Sequence, residues 1–387
     1  MEDIWKADHW LPRGIEWHQL PNNFSDLLYP IYFSLPLIVF RIFLESFVGV
    51  PIGFLLGYYE NESVVDARGT YVSKFQIFNH LNGGFARQTR SKRVLECFWR
   101  FSYYTFAFIY GIVVLWNKSW LWDVKQCWIE YPFHSIDDSV WWYYMIETSF
   151  YYSLLLASFF DVKRSDFWQL IVHHFITIGL LSTSFAINFV RVGTLVLISH
   201  DLGDILLEFT KLTRYDRKLK VLTNACFCVF LIIWIITRLI YYPFVVVQSA
   251  LFDAASLIQP DYDLLDITEV GFVAIHCETT FKHKPYAPRV IIFMLFVLLI
   301  LHIFWTALIM KVIVKAISQG EAGDVRSDSE RSDIETHKLI EQNGQRSVLR
   351  RRTARKHSNS DDDSDSDCVS GNDRNLRKNG VQRRRLR

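Results

Sequence analysis

Apolar stretches separated by short polar connectors fill the chain as far as residue 314, and beyond it the pattern stops. The stretches are Leu28–Leu56, Cys97–Trp116, Val140–Phe160, Phe167–Ile187, Val192–Leu212, Val221–Val247 and Val290–Val314. Each is about 20 residues or longer, enough for a helix to cross ~30 Å of hydrocarbon. The pattern therefore predicts an all-α polytopic membrane protein with about seven transmembrane helices. The first stretch is the least regular, because Pro30, Pro36, Arg41, Glu45 and Pro51 interrupt it. Kinks are tolerated in such a helix where neighbours or water satisfy the freed backbone groups. The expected organisation is a segment 1–27, a first transmembrane helix 28–56, a linker 57–96, a six-helix domain 97–314 and a tail 315–387.

Charge orients this array. Lys and Arg favour cytosolic loops, and they gather at Arg87, Arg90, Lys92 and Arg93, at Lys163 and Arg164, and at Lys211, Arg214, Arg217, Lys218 and Lys220. With seven spans these three connectors fall on one side. The opposite connectors are acidic, with Asp123, Glu130, Asp137 and Asp138 in one and Asp253, Asp261, Asp263, Asp266 and Glu269 in another. The alternation predicts a lumenal N-terminus and a cytosolic tail. Met1 to Leu20 has no basic-then-apolar leader pattern, so the first helix is expected to act as the insertion signal.

Composition refines the picture. The chain has 387 residues, 51% of them hydrophobic, and a net charge of +2. Its six cysteines form no C-x-x-C or zinc-finger spacing, and no metal is expected. Cys127 and Cys277 both fall on the lumenal side, where a disulfide between them is open. Of three N-x-S/T sequons, Asn23 is the expected glycosylation site. Asn61 is expected to be cytosolic, and Asn117 to lie too close to the membrane.

Ionisable groups inside apolar runs carry the chemistry, since at that depth they are costly and mark function by default. His173 and His174 lie within the fourth stretch, and His200, Asp201, Asp204 and Glu208 within the fifth. At 1.5 Å per residue, His173 is about 9 Å from the basic surface and Asp204 about 10 Å. The two antiparallel helices thus bring imidazole and carboxylate to one level. Asp201, Asp204, Glu208 and Lys211 recur on one helix face, with His200 at its border. A His–Asp pair in a water-poor pocket suits acyl transfer, with histidine as base or as acyl carrier. Interhelical hydrogen-bond glue and a transition-metal site are the rival readings, the latter weakened by the lack of further H-x-x-H motifs.

The residues then match a family. D-V-K-R at Asp161–Arg164, the His173–His174 pair, N-F-V-R at Asn188–Arg191 and H-D-L-G-D-I-L-L-E-F-T-K at His200–Lys211 resemble, in order, the Lag1 motif of ceramide synthases. The similarity extends over most of Glu96 to Gln319, the TLC region. It implies a sphingosine N-acyltransferase of the endoplasmic reticulum that joins a fatty acyl-CoA to a sphingoid base and uses no cofactor. The resemblance places the catalytic set on His173, His174, Asp201 and Asp204, with the acyl group on His173. It also implies six helices around a lipid tunnel. Lys163, Arg164 and Lys211 are candidates for the coenzyme A phosphates, and His200 and Glu208 for substrate contact. Pairing with a second copy or a related synthase is left open.

Many animal members carry a homeobox-like stretch before the second span. Gly57 to Glu96 is too short for a DNA-binding domain of roughly 60 residues, so no nucleic acid partner is expected. Past Lys315 the composition is that of a disordered segment. There Asp324, Arg326, Ser327, Asp328 and Glu330 match the D-x-R-S-D-x-E element found after the last helix in this family, an expected regulatory element. Ser358, Ser360, Ser364 and Ser366 lie in or beside an acidic run of the kind phosphorylated by acidophilic kinases. The competing functional class is a non-enzymatic lipid sensor, transporter or translocation-associated protein, which has no need for the complete His-His and Asp-x-x-Asp set.

Overall fold

The computed structural model describes residues 6–12, 14–56, 72–86, 89–215, 219–258 and 287–319, all within one compact unit, Met1–Asp328. Among them there is no strand, only helices. The long ones are α1 (Leu28–Leu44), α3 (Arg90–Leu115), α4 (Asp138–Ala157), α5 (Phe167–Ala186), α6 (Val190–Arg214), α7 (Lys220–Trp234) and α8 (Ala287–Gln319), with a shorter α2 (Val72–Leu81) between the first two. Helix α1 continues through a wide-turned stretch, Glu45–Gly49, into Val50–Leu55, and α7 continues likewise through Ile235–Val247.

Each predicted span is a helix; most ends lie within about five residues of the expectation, while α3 begins earlier, at Arg90, and the helix that starts at Lys220 runs on to Ile258. Among the described residues five stretches are long and apolar enough to cross a membrane: Phe24–Gly53, Ser91–Leu115, Phe167–Ala186, Lys220–Ile258 and Arg289–Lys315. Helices α4 and α6 fall outside that set, so the expected count of seven rests on two helices of mixed composition. These two are the most enclosed. Helix α4 buries Tyr143, Tyr144, Glu147, Phe150 and Tyr151, and α6 buries Leu195, Leu197, His200, Asp201 and Glu208. A helix shielded by its neighbours can carry polar groups that lipid would reject. Helix α1, in contrast, leaves Leu35, Val39, Phe40 and Phe43 more than half or about half exposed, the outward face of a lipid-facing helix.

Helix α1 is fastened to the rest by buried charge. Arg41 donates Nε to Glu45 Oε1 at 2.7 Å and, through its two terminal nitrogens, forms a forked pair with Asp161 at 2.6 and 3.0 Å. Lys92 Nζ donates to Glu45 Oε2 at 2.8 Å, and His80 Nδ1 lies 2.8 Å from Ser46 Oγ. Arg41, Glu45 and Lys92 are each at most 2% exposed. Asp161 opens the D-V-K-R motif, so one role of that motif is structural: the turn between α4 and α5 grips α1. Next to it, Val162 N–H donates to Glu96 Oε1 at 2.9 Å. At the opposite end, the N-F-V-R motif fixes the turn between α5 and α6. Asn188, in left-handed backbone at φ 63°, donates Nδ2 to the carbonyls of Pro132 and His134 at 2.7 and 2.9 Å. Arg191 donates to the carbonyls of Gln126 and Ile129 and lies over the Trp120 ring.

The Cys127 thiol is buried and free, and burial pushes it up to about 12; Cys277 lies outside the described residues. Asn23 is exposed and caps a short helix at Phe24–Leu27. The regulatory element at Asp324, Arg326, Ser327, Asp328 and Glu330 and the serines 358, 360, 364 and 366 also lie outside the described residues.

Removing one partner from a buried ion network strands the others, a loss of roughly 3–5 kcal/mol. Arg41→Leu, which leaves Glu45 and Asp161 without their shared cation, is therefore expected to unfold at clearly lower temperature in detergent. A melting curve coincident with that of the wild type would contradict this attachment of α1.

Candidate active site

Consecutive helices α5 and α6 bring His173 and His200 to one cavity, but the contacts differ from a simple His–Asp pair. His173 Nδ1 lies 3.4 Å from Thr177 Oγ1 one turn on, and its ring meets Trp305 of α8 edge-on at 5.3 Å. Tyr151 of α4 approaches from the other side, with ring centroids 6.3 Å apart. His174 points elsewhere, as adjacent helical residues must, and its buried Nδ1 has no hydrogen-bond partner. Neither imidazole bonds an aspartate. Asp204 Oδ2 is instead 3.4 Å from Arg238 of the α7 continuation. The same guanidinium donates to the carbonyls of Ser199 and His200 at 3.2 and 3.0 Å and lies over the Trp234 ring. Asp201 is wholly buried, and both its oxygens lack partners.

His200 accepts or donates at two points. Its Nδ1 contacts the Val196 carbonyl at 2.7 Å, and its Nε2 lies 3.2 Å from Nε2 of His302 on α8. The carbonyl contact requires Nδ1–H, which leaves Nε2 as the acceptor and makes His302 the donor across the gap. Glu208 closes the basic end of the stripe. It accepts from Lys211 Nζ at 2.6 Å and from Arg100 Nε at 3.3 Å. Arg164 sits 3.9 Å from Glu96, whereas Lys163 is exposed and lies against the Phe167 ring. Of the three cations proposed for phosphate, two are thus already facing carboxylates. Among the described residues no group of three or more His, Cys, Asp and Glu side chains could hold a metal.

An apolar cavity is lined by His173 and His200. It runs between α5 and α6 from Tyr151, His173 and His200 to Trp128, Phe189 and Ala250. Its path along α5, from His173 to Ser184, spans about 16 Å at the helical rise. Gly193 is required on this wall, since a Cβ there would come within 2.5 Å of the Tyr144 hydroxyl. Trp128 lines the part of the cavity farthest along from His173; its Nε1 donates to Ser249 Oγ at 2.9 Å and its ring meets Phe189 edge-on. Nearby, His134 has both ring nitrogens buried without partners, and burial pushes its imidazole down to about 4.

Arg238, His302 and Glu147 were not singled out from the sequence, although each interrupts an apolar run. The rule that marked His173 applies equally to them.

With the geometry established, the chain can be placed among known proteins. The TLC domain family matches residues 93–311. Ceramide synthase hyl-1 of Caenorhabditis elegans is 52% identical over 330 residues, covering 85% of this chain and 84% of that protein. The chain belongs to the Lag1 ceramide synthase family. Ceramide synthase hyl-2 of the same organism is 38% identical, covering 88% of this chain and 98% of its own length. Human ceramide synthase 5 is 30% identical, covering 86% and 89%. The family membership and the helices together make this a multi-pass membrane protein, and the D-V-K-R and N-F-V-R motifs gain physical roles as the clamps at the two ends of α5.

The Arg238–Asp204 contact has a direct test in a double-mutant cycle. Arg238→Leu leaves the partly buried Asp204 carboxylate without its guanidinium partner and is expected to lose about 1–3 kcal/mol of stability. Adding Asp204→Leu should restore most of it, because the two effects are coupled rather than additive. Strictly additive losses would show that the pair does not interact.

Proposed function

We propose that this protein is a ceramide synthase of the endoplasmic reticulum membrane, transferring a fatty acyl group from coenzyme A to the amine of a sphingoid base. The observation that carries the reading is the apolar cavity that His173 lines. A cavity about 16 Å long, walled by Leu180, Leu181 and Leu298, suits an acyl chain and nothing charged. The thioester then lies at the histidines, with coenzyme A toward the basic end that carries Lys163, Arg164 and Lys211. That end faces the cytosol in this reading, the N-terminus faces the lumen, and the tail is cytosolic.

The reaction proceeds in two halves. Thr177 at Nδ1 orients the His173 ring and leaves Nε2 as its attacking nitrogen. Attack on the thioester carbonyl forms an acyl-imidazole, coenzyme A departs as the thiol, and the imidazole proton goes with it. The sphingoid amine next attacks the same carbonyl carbon, and the acyl–nitrogen bond to His173 breaks. Asp204, held by Arg238, keeps a fixed charge beside the site and supports the local field that steadies developing charge. His174, whose Nδ1 is buried without a partner, is the proton carrier in this reading. Relatives named ceramide synthase over most of their length support the substrate class.

Intact mass after mixing purified protein with long-chain acyl-CoA tests the first half. The wild type is expected to gain one acyl mass, and His173→Ala to gain none and to make no ceramide. A His173→Ala protein that still acquires the mass excludes this nucleophile. A wild type that binds acyl-CoA without covalent gain or turnover favours a lipid-binding role on the same fold.

The Trp128 end of the cavity gives a second expectation. Trp128→Ala removes a bulky ring from the floor, so the products should shift toward longer acyl chains. An unchanged chain-length distribution would mean that the acyl tail does not reach Trp128.

A further inference from the structure

Two wholly buried acidic groups make no contact that explains them. Glu147 of α4 and Asp201 of α6 are both 0% exposed. None of their four carboxyl oxygens has a hydrogen-bond partner. The side chain one turn before Glu147, Tyr143, is equally buried, and its hydroxyl is also unpartnered. The nearby Tyr103 hydroxyl is used elsewhere, donating to the Ile146 carbonyl at 3.0 Å. Helices α4 and α6 pack against each other, and the Asp201 and Glu147 carboxyls interact electrostatically across that contact. Asp204 differs, since it already meets Arg238.

Buried polar atoms are normally paired, and each left unpaired costs about 1–3 kcal/mol. Four such oxygens from two helices, with an unsatisfied hydroxyl beside them, form a concentrated set of acceptors. The set also lies beside the reaction channel. Tyr151, one turn after Glu147, and His200, the residue before Asp201, both line the cavity that His173 lines. The matching ligand is therefore apolar over most of its length and rich in donors at one point.

We propose that Glu147 and Asp201 together form the amine site, receiving the head of a long-chain 2-amino-1,3-diol. Its ammonium brings three N–H donors and its two hydroxyls bring two more. This deepens the acyl-transfer reading and rests on it. On binding, one carboxylate of the pair accepts a proton from the ammonium and releases a neutral amine. The amine's lone pair forms the new C–N bond to the acyl carbon on His173, and the acyl–imidazole bond breaks. The electron pair returns to the imidazole nitrogen, which takes the second amine proton. The amide keeps the third, and the carboxyl proton leaves to water, so the cycle releases one proton overall. Asp204 remains the partner of Arg238, and Glu147 is the group that sequence motifs alone do not mark.

The full-length protein in detergent, with acyl-CoA and sphinganine as probes, separates the two halves. Glu147→Gln is expected to acquire acyl mass from acyl-CoA as the wild type does, yet to lose at least about 100-fold in kcat/KM for sphinganine, the range of a lost proton acceptor. Glu147→Asp should recover part of that loss, which a purely structural role would not predict. A Glu147→Gln protein with wild-type kcat and KM for sphinganine overturns the amine site while leaving the acyltransferase reading intact. A wild type that neither loads nor transfers removes both. Should the variant fail to fold, the wild type answers the same question. The corresponding diol lacking the amine should compete with sphinganine at least about 100-fold more weakly, as expected when a site built for hydrogen bonding loses its partner. Equal competition overturns the proposal.

Discussion

Charge that must lie inside hydrocarbon governs this structure, because every such group needs a shield and a partner. Helix α6 carries His200, Asp201, Asp204 and Glu208 through the middle of the chain. It is tolerable there because α3, α4, α5 and α7 surround it. Arg238 reaches across to Asp204 and to two α6 carbonyls, and Arg100 reaches across to Glu208. The remaining helices are arranged around this need. Helix α1, which has a lipid-exposed face, obeys the same rule through Arg41, Glu45, Lys92 and Asp161.

Enclosing α6 produces the site. A polar helix packed against the apolar α5 leaves an interface with two characters, hydrogen-bonding at the level of His173 and His200 and apolar from there to Trp128. That division fits a substrate with a reactive head and a long tail. The end clamps keep α5 and α6 in register: Glu96 and Arg41 hold the D-V-K-R turn, and Asn188 and Arg191 hold the other. Both motifs therefore act at a distance from the reacting atoms by fixing where His173 stands.

The helices were legible in the chain because apolar runs of membrane length have few alternative structures. Most of their ends differed by a few residues, as with Val192–Leu212 against Val190–Arg214, since terminal polar turns extend beyond the hydrocarbon-sized run. The meeting of α5 and α6 at one site was also legible, and His173 and His200 line the same cavity. Azimuth was not. Depth cannot say that Asp204 turns toward α7, where Arg238 waits, or that His173 turns toward Thr177 and Trp305. The expected imidazole–carboxylate contact gave way to three separate pairings for this reason. Glu147 and His302 sit singly in apolar runs, and only the three-dimensional contacts reveal that one lacks a partner and the other meets His200.

The most direct test of the account is an experimental density map of the protein loaded with a long-chain acyl-CoA. The account predicts continuous density from the His173 imidazole, between α5 and α6, ending against Trp128. An acyl chain lying on the lipid-facing surface of the bundle, with the space between those helices closed, would contradict it.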